Sequence, residues 1–374
     1  MNLKILFILI GFFLILPINF VHAEVIHENL GIINELLVSE EKSDLYFFEL
    51  DQNISSQTWI HDTKIMYGNE NTISKISDDL FIFPTEINEI GDYLIFATLS
   101  EECVGNTICD FQDVIKMSKK DGSYQKIIHQ LKSAIHISVE GEQIYLSESN
   151  GKIWKFFKDG SDKQLVYQGN NIIMDITVQN DKVYWIEEIS EQNSIIMMLK
   201  DGIVTKIAEN LQIPYNLAHD DDSIFWNEIR IGAKSGKVTE FTKFTLYNGD
   251  KIKTVSEYDN KTPLSSFSKP VYGPYSFLGN FLFIANNTSD KSTIHLLDYK
   301  TDQNFELETI SNYDVRYFRN SFDSLYVLGQ NQDGFLIEKL PLPVTVPEFS
   351  TVMIFFSVTT GLSLIIASQK LFHY

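Results

Sequence analysis

The chain has 374 residues, of which 44% are hydrophobic and 13% aromatic, and its formal net charge is −20. This length allows one large repeat domain or two ordinary domains, and the aromatic content favours β-structure, where flat side chains pack on pleated surfaces. The acidic excess argues against nucleic acid or anionic lipid as an electrostatic partner, since both attract basic patches.

The N-terminal end has the pattern of a secretory signal peptide. One lysine precedes the apolar residues 5–16, Pro17 follows, and the small residue Ala23 comes before Glu24. Proline would break a continuous membrane helix, which favours cleavage after Ala23 over an uncleaved N-terminal anchor. We therefore expect residues 1–23 to be removed and the rest to be exported.

A short phrase then recurs along the chain, in which a polar turn precedes an aliphatic and an aromatic residue. The seven copies lie at 43–47, 91–96, 141–146, 181–185, 222–226, 279–283 and 323–327. Their first aliphatic residues, here called the anchors, are Leu45, Leu94, Ile144, Val183, Ile224, Leu282 and Leu325. Adjacent anchors are roughly 40 to 58 residues apart, close to the length of a four-stranded propeller blade.

Tight hairpin turns form a second recurring mark. The pairs are Asp121-Gly122, Asp159-Gly160, Asp201-Gly202 and Asn248-Gly249, and such pairs supply the positive φ that two-residue hairpins need. The sequence therefore predicts an all-β fold in which residues 24–340 form a single β-propeller of seven blades. Six blades is the alternative, because the first two units are degenerate and the Ile224–Leu282 spacing is long; a pair of β-sandwiches ranks third.

The last unit offers only three strands before a run of prolines. Residues 25–30 match residues 206–211, which occupy a fourth-strand position in their own unit. An open ring would leave exposed sheet edges, so we expect residues 24–30 to close the propeller as an N-terminal strand of the last blade.

Two units, over residues 171–228, resemble the YWTD-type propeller repeats of lipoprotein-receptor ectodomains, and residues 134–163 do so in part. Each has an apolar first strand that ends in a polar or acidic turn and leads into an aromatic pair, as at Tyr184-Trp185 and Phe225-Trp226. The resemblance implies a propeller with an extracellular binding role, and it assigns no functional residue.

The C-terminal end carries a second membrane signal. Residues 341–350 form a proline-rich linker, and residues 351–372 contain an uncharged apolar run near the length that crosses a bilayer. Pro347-Glu348-Phe349, directly before this span, resembles the PEF-type sorting signal of archaeal surface proteins. In that family an archaeosortase cuts near the motif and transfers the protein to a lipid. A plain transmembrane helix is the alternative, and both imply an extracellular domain anchored to the cytoplasmic membrane.

Covalent modification follows from the exported context. Cys103 and Cys109 are close enough to close a local disulfide loop. The acceptor triplets for N-glycosylation begin at Asn53, Asn260, Asn286 and Asn287.

Candidate ligand-binding residues are polar side chains near the start of each predicted innermost strand, where they would line the mouth of the central channel. They are His136, Asp175, Asn216, Tyr275 and Arg316. Arg316 could hold a carboxylate through two hydrogen bonds, whereas the structural alternative is that all five cap strand ends or bind channel water. No catalytic, phosphate-binding or metal motif is recognisable, so we expect no metal or cofactor.

The sequence thus predicts a non-catalytic surface module that binds an extracellular protein, glycan or small ligand. The alternatives are a structural protein of the cell envelope and a lyase or hydrolase with its site at the channel mouth. No nucleic acid is expected as a partner, and a sortase-type enzyme is expected only if the C-terminal tail is processed.

Overall fold

The computed structural model describes residues 24–342, with gaps of which the longest are 51–61, 104–110 and 261–274. The predicted all-β class is confirmed: within these residues the regular structure is 29 strands and one short 3-10 helix at Glu101–Cys103. No helix in the described part of the chain is long and apolar enough to cross a membrane. The predicted signal peptide, the Pro347-Glu348-Phe349 motif and the predicted C-terminal span lie outside the described residues.

The strands form seven antiparallel sheets within the described residues, numbered here as sheets 1 to 7 in the chain order of their first strands. The N-terminal strand β1 (Glu24–Leu30) belongs to sheet 7. Sheet 1 contains β2 (Ile33–Val38), β3 (Leu45–Leu50), β4 (Asp62–Gly68), β5 (Ile73–Lys75) and the short β6 (Phe81–Ile82), which pairs with β4. Sheet 2 contains β7 (Asn88–Ile90), β8 (Tyr93–Leu99), β9 (Phe111–Ser118) and β10 (Tyr124–Lys132).

The next three sheets each contain four strands that are consecutive in sequence. Sheet 3 contains β11 (Ala134–Glu140), β12 (Gln143–Glu148), β13 (Lys152–Phe157) and β14 (Gln164–Gln168). Sheet 4 contains β15 (Ile172–Gln179), β16 (Lys182–Ser190), β17 (Asn193–Lys200) and β18 (Ile203–Leu211). Sheet 5 contains β19 (Ile213–His219), β20 (Ile224–Lys234), β21 (Lys237–Tyr247) and β22 (Ile252–Asn260).

The last two sheets complete the set, and the second of them joins the two ends of the propeller. Sheet 6 contains β23 (Tyr275–Leu278), β24 (Phe281–Asn287), β25 (Lys291–Asp298) and β26 (Gln303–Ser311). Sheet 7 contains β27 (Asp314–Asn320), β28 (Ser324–Gln330), β29 (Phe335–Pro341) and β1. The predicted closure is confirmed, because β1 pairs antiparallel with β29, with Leu30 opposite Phe335.

Each repeated phrase lies on the second strand of its sheet, and in sheets 1, 2, 3, 4 and 7 its residues point alternately to the two neighbouring sheets. On β3, Leu45 and Phe47 pack into a cluster with sheet 7, whereas Tyr46 and Phe48 pack into a cluster with sheet 2. On β16, Trp185 likewise packs towards sheet 3 and its neighbours in sequence pack towards sheet 5. Because both faces of the strand are buried, the strand is apolar throughout instead of alternating.

The first strands of the sheets lie innermost. Contacts join β7 with β11, β11 with β15, β15 with β19, β23 with β27, and β27 with β2. The polar residues near the starting ends of these strands therefore surround the axis of the propeller, where the sequence placed its candidate site.

The predicted hairpin turns are confirmed by their backbone. Gly122, Gly160, Gly202 and Gly249 each connect the third and fourth strands of a sheet with φ between +68° and +91°. The turn in sheet 3 also touches its neighbour, since a Cβ atom at Gly160 would lie 2.2 Å from the carbonyl oxygen of Ile127 on β10. At Gly202 no heavy atom lies within 4 Å of the same position.

This contrast makes Gly160→Ala and Gly202→Ala a matched pair. Both substitutions impose a positive φ on alanine, which costs about 1 kcal/mol. Only Gly160→Ala also forces the sheet 2 backbone to move, which adds roughly 1–3 kcal/mol. Urea unfolding of the full chain should show the larger loss for Gly160→Ala, and equal losses would contradict the close contact between the two sheets.

Candidate functional site

Irregularities in strand pairing recur on the innermost strands and position the polar side chains. The register is broken between Ile33 and Glu35 on β2, between Ala134 and His136 on β11, and between Ile173 and Asp175 on β15. The same occurs on β19 between Tyr215 and Ala218, and on β27 between Val315 and Tyr317. A β-bulge interrupts the regular alternation of side chains and changes the direction of a residue. The bulges therefore redirect side chains on these innermost strands.

Three polar side chains meet at this end of the molecule, and we call them the triad: Glu86, which precedes β7 of sheet 2, His136 on β11 and Asp175 on β15. The His136 Nδ1–H group donates to Glu86 Oε1 at 2.6 Å, and Nδ1 lies 3.8 Å from Asp175 Oδ1. One potential ligand atom from each residue lies within 4.8 Å of those of the other two. The imidazole thus sits between two carboxylates.

Backbone hydrogen bonds hold both carboxylates of the triad in place. Glu86 Oε2 accepts from the N–H of Ile137 on β11 at 3.2 Å. Asp175 Oδ2 accepts from the N–H of Leu217 on β19 at 2.6 Å, and its Oδ1 accepts from Ile176 at 2.8 Å. Each acid therefore binds the first strand of the following sheet, so the triad joins sheets 2 to 5.

Burial and mutual charge shift the pKa values of the two acids in opposite directions. For Asp175, burial is the largest effect and raises the pKa to about 6; the charge of Glu86 adds to this rise and that of His136 opposes it. Burial would also raise the pKa of Glu86, but the charge and hydrogen bond of His136 together with the Ile137 N–H outweigh it and lower that pKa. Glu86 is thus the more readily ionised of the two acids.

A second ion pair links the first and last sheets beside the triad. Arg319 Nη2 on β27 donates to Glu35 Oε1 on β2 at 2.9 Å. The charge of Arg319 also contributes to the lowered pKa of Glu86, which places the guanidinium within electrostatic reach of the triad.

Of the five residues predicted to line the channel, the structure brings His136 and Asp175 together. Asn216 lies at the β19 bulge, where it is exposed with φ 53° and directs the next N–H, that of Leu217, towards Asp175. Tyr275 and Arg316 lie on the innermost strands β23 and β27, and their side chains fall outside the described residues.

Sequence reasoning missed Glu86, Glu35 and Arg319. The distance from the anchors would have found the first of these. Four polar residues stand eight positions before an anchor: Glu86, His136, Asp175 and Asn216. Glu35 stands ten residues before its anchor and Arg319 lies beyond the bulge on its strand, so the same count does not find them. The expectation of no metal site rested on the lack of a local motif, whereas the triad is assembled from residues about 40 to 50 positions apart.

The predicted modification sites are described only in part. Cys103 is buried, and no cysteine among the described residues is free; Cys109 lies outside those residues, so its pairing with Cys103 stays a prediction. Asn260 ends β22, and Asn286 and Asn287 end β24. Asn53 lies outside the described residues, and glycosylation at the four asparagines also stays a prediction.

Comparison with known proteins supports the fold alone. No protein-family model matches the chain, and no curated protein matches it. Among solved structures, the β-propeller domain of the trilobed protease from Pyrococcus furiosus is similar, with a TM-score of 0.59, 11% identity, and coverage of 84% of this chain and 99% of that one. The acylaminoacyl peptidase of Pyrococcus horikoshii is similar with a TM-score of 0.57 and 13% identity, over 86% of this chain and 53% of that chain.

A third match is the nidogen/laminin complex, with 16% identity over 74% of this chain and 92% of that one, at a TM-score of 0.45. A score this low adds nothing to the assignment. The match to a solved propeller domain agrees with the sheets and their pairing that this protein is a β-propeller.

The raised pKa of Asp175 predicts a specific pH dependence of stability. Between the ordinary value of 3.8 and about 6, the folded protein binds this proton more tightly than the unfolded chain does. Stability therefore falls as pH rises through this window, by up to about 3 kcal/mol from this group. Glu86 acts with the opposite sign, since its lowered pKa gives stability that is lost as pH falls.

Asp175→Asn isolates the first effect. The free energy of unfolding, measured by urea denaturation at several values between pH 4 and pH 7, should decline more with rising pH in the wild type than in the variant. Glu209→Gln, on an exposed residue of β18, is the control and should follow the wild type. Parallel curves for wild type and Asp175→Asn would contradict the raised pKa.

Proposed function

We propose that the protein is an exported, non-catalytic binding module on the cell surface, whose ligand carries a positive charge and binds where Glu86, His136 and Asp175 converge. The convergence of these three side chains from three sheets carries the proposal. Polar groups gathered at the entrance to a concave site are the usual means by which proteins orient a ligand.

The charge balance of this end of the molecule supports a cationic ligand. The triad contains two carboxylates and one imidazole, and in the described residues no lysine or arginine forms an ion pair with either acid. The nearby Arg319 is engaged by Glu35. A cation entering here would meet an unbalanced negative charge in a partly buried setting, where electrostatic attraction is stronger than in water.

The exposure of the three side chains decreases from Glu86 to His136 to Asp175. Glu86 keeps 36% of its side-chain surface exposed and His136 keeps 22%, whereas Asp175 keeps 11%. A ligand would therefore contact Glu86 and His136 first, with Asp175 beneath them.

A binding role is favoured over catalysis by the surroundings of the imidazole. The Ser147 hydroxyl, on the strand paired with β11, is fully buried and accepts from the backbone N–H of His136 at 3.3 Å. A nucleophile must instead reach both its base and the substrate. The hydrogen bond between Glu86 and His136 is explained by its role in orienting the imidazole.

We also propose that the seven sheets are seven blades of one closed ring. Hydrophobic clusters join sheets 1 and 2, 2 and 3, 3 and 4, 4 and 5, 6 and 7, and 7 and 1. The pairing of β1 with β29, which joins the two ends of the described chain in one sheet, supports the same ring. A closed ring gives the channel two defined ends, one of which carries the triad.

Surface location is proposed from the two ends of the sequence. Residues 1–23 have the pattern of a signal peptide and residues 351–372 that of a membrane or sorting segment, preceded by Pro347-Glu348-Phe349. The propeller would then lie outside the cytoplasmic membrane, held by the C-terminal helix or by a lipid that replaces it.

Mass spectrometry of the protein from its native membrane tests the location. We expect a mature N-terminus at Glu24, because Ala23 is the small residue at the predicted cleavage site. A C-terminal peptide that ends near Phe349 supports transfer to lipid, and one that continues through Leu371 supports a retained helix. A peptide containing residues 5–16 in the mature protein would contradict signal cleavage.

Calorimetric titration of the full chain in mild detergent tests the ligand charge. Arginine amide and spermidine serve as organic cations, and N-acetylglycinamide serves as a neutral control. We expect the cations to bind and Glu86→Gln to weaken that binding at least tenfold, since it removes the accessible charge and keeps an acceptor for the Ile137 N–H. Glu142→Gln, on an exposed acid of sheet 3, should have no effect; failure of every cation tested, organic or metal, to bind would contradict the proposal.

A further inference from the structure

We propose that the triad is a binding site for one divalent transition-metal ion, coordinated by Glu86, His136 and Asp175. This inference rests on the proposed function, because it names the cation that the same site takes. Nothing in the local sequence marks such a site, since each of the three residues comes from a different sheet.

The donor set favours a metal of the zinc type over calcium or magnesium. One imidazole nitrogen and two carboxylates are ligands that Zn²⁺ and its neighbours accept, in a site with three protein ligands and one open position. Calcium requires six to eight oxygen ligands, which two carboxylates already bonded to backbone N–H groups and one imidazole do not supply.

The present distances bracket the spacing that a metal requires. Bonds of about 2.1 Å in tetrahedral geometry place two ligand atoms about 3.4 Å apart. His136 Nδ1 lies 2.6 Å from Glu86 Oε1 and 3.8 Å from Asp175 Oδ1. The first distance would lengthen and the second would shorten, each by less than about 1 Å. The ion would take the place of the proton shared by Nδ1 and Oε1.

The backbone hydrogen bonds already orient the two acids for this role. One oxygen of Glu86 is held by the Ile137 N–H, which leaves the oxygen facing His136 as the ligand. Asp175 is held from two sides by Ile176 and Leu217. Ligating carboxylates are commonly fixed by such hydrogen bonds, which reduce the freedom lost on binding.

The burial of Asp175 also favours a cation at this site. The whole residue is 8% exposed, and its charged partner among the described residues is the His136 imidazole at 3.8 Å, with no lysine or arginine in an ion pair. A buried carboxylate paired only with an imidazole at this distance is stabilised further by a bound cation. The exposed sides of Glu86 and His136 leave a path for the ion to enter and one coordination position open to solvent or ligand.

Calorimetric titration of Zn²⁺ into the full chain, purified without a polyhistidine tag, tests the site. We expect one ion per chain, with affinity lowered at least tenfold by His136→Ala and by Glu86→Gln. His129→Ala is the matched control, because His129 Nδ1 also lies 3.8 Å from a carboxylate, that of Asp113, but is exposed and belongs to no metal-compatible cluster among the described residues. Equal loss in His129→Ala, or no loss in His136→Ala, would overturn the site.

Cobalt substitution gives a readout that does not depend on how the variants fold. Co²⁺ added to the wild type should show the intense visible absorption of a four- or five-coordinate ion, displaced by Zn²⁺. The weak spectrum of octahedral aqueous Co²⁺ would overturn the proposal. If organic cations bind through Glu86 and no metal does, the binding function stands and the metal site falls; if neither binds, both fall.

Discussion

The structure depends on the burial of sheet faces by neighbouring sheets, through hydrophobic clusters that join six pairs of sheets within the described residues. No helical layer covers the sheets in the described part of the chain, so each sheet must find its hydrophobic partners in its two neighbours. This requirement explains why Leu45 and Phe47 pack one way while Tyr46 and Phe48 pack the other. It also explains why the N-terminal strand returns to the last sheet, since an unpaired edge at β29 would expose backbone groups and loosen the cluster beneath it.

At the axis of the propeller, backbone polar groups must find hydrogen-bond partners. Five of the innermost strands contain a bulge, and a bulge leaves N–H groups without partners in the sheet. Glu86 and Asp175 accept N–H groups of the following sheet at such positions. Ser292 does the same for Val315 at 3.2 Å. These polar side chains therefore have a structural role as hydrogen-bond acceptors. A functional role must be argued from the properties that this structural role does not explain.

The sequence predicted the fold well because the fold follows from local and repeated rules. The aliphatic–aromatic phrase marks a doubly buried strand, Asp-Gly marks a hairpin, and residues 25–30 carry the pattern of a fourth strand; each can be recognised without knowing its neighbours. His136 and Asp175 were predicted for the same reason, as polar residues at the start of innermost strands. Glu86 was missed because it precedes β7, which has only three residues. A strand this short has no recognisable apolar pattern in the sequence. Arg319 was missed because its contact with Glu35 joins opposite ends of the chain, which no local pattern encodes.

The structural hydrogen bonds do not explain why two carboxylates flank one imidazole. A serine or an amide would accept the N–H groups of Ile137 and Leu217 equally well, as Ser292 does for Val315, and would add no charge. Carboxylates add two negative charges, and one of them, Asp175, is held where burial opposes its ionisation. Acceptance of these two N–H groups does not require a charge. The charges are therefore the part of the triad that a structural role does not explain, and a cationic ligand is the simplest group that accounts for them.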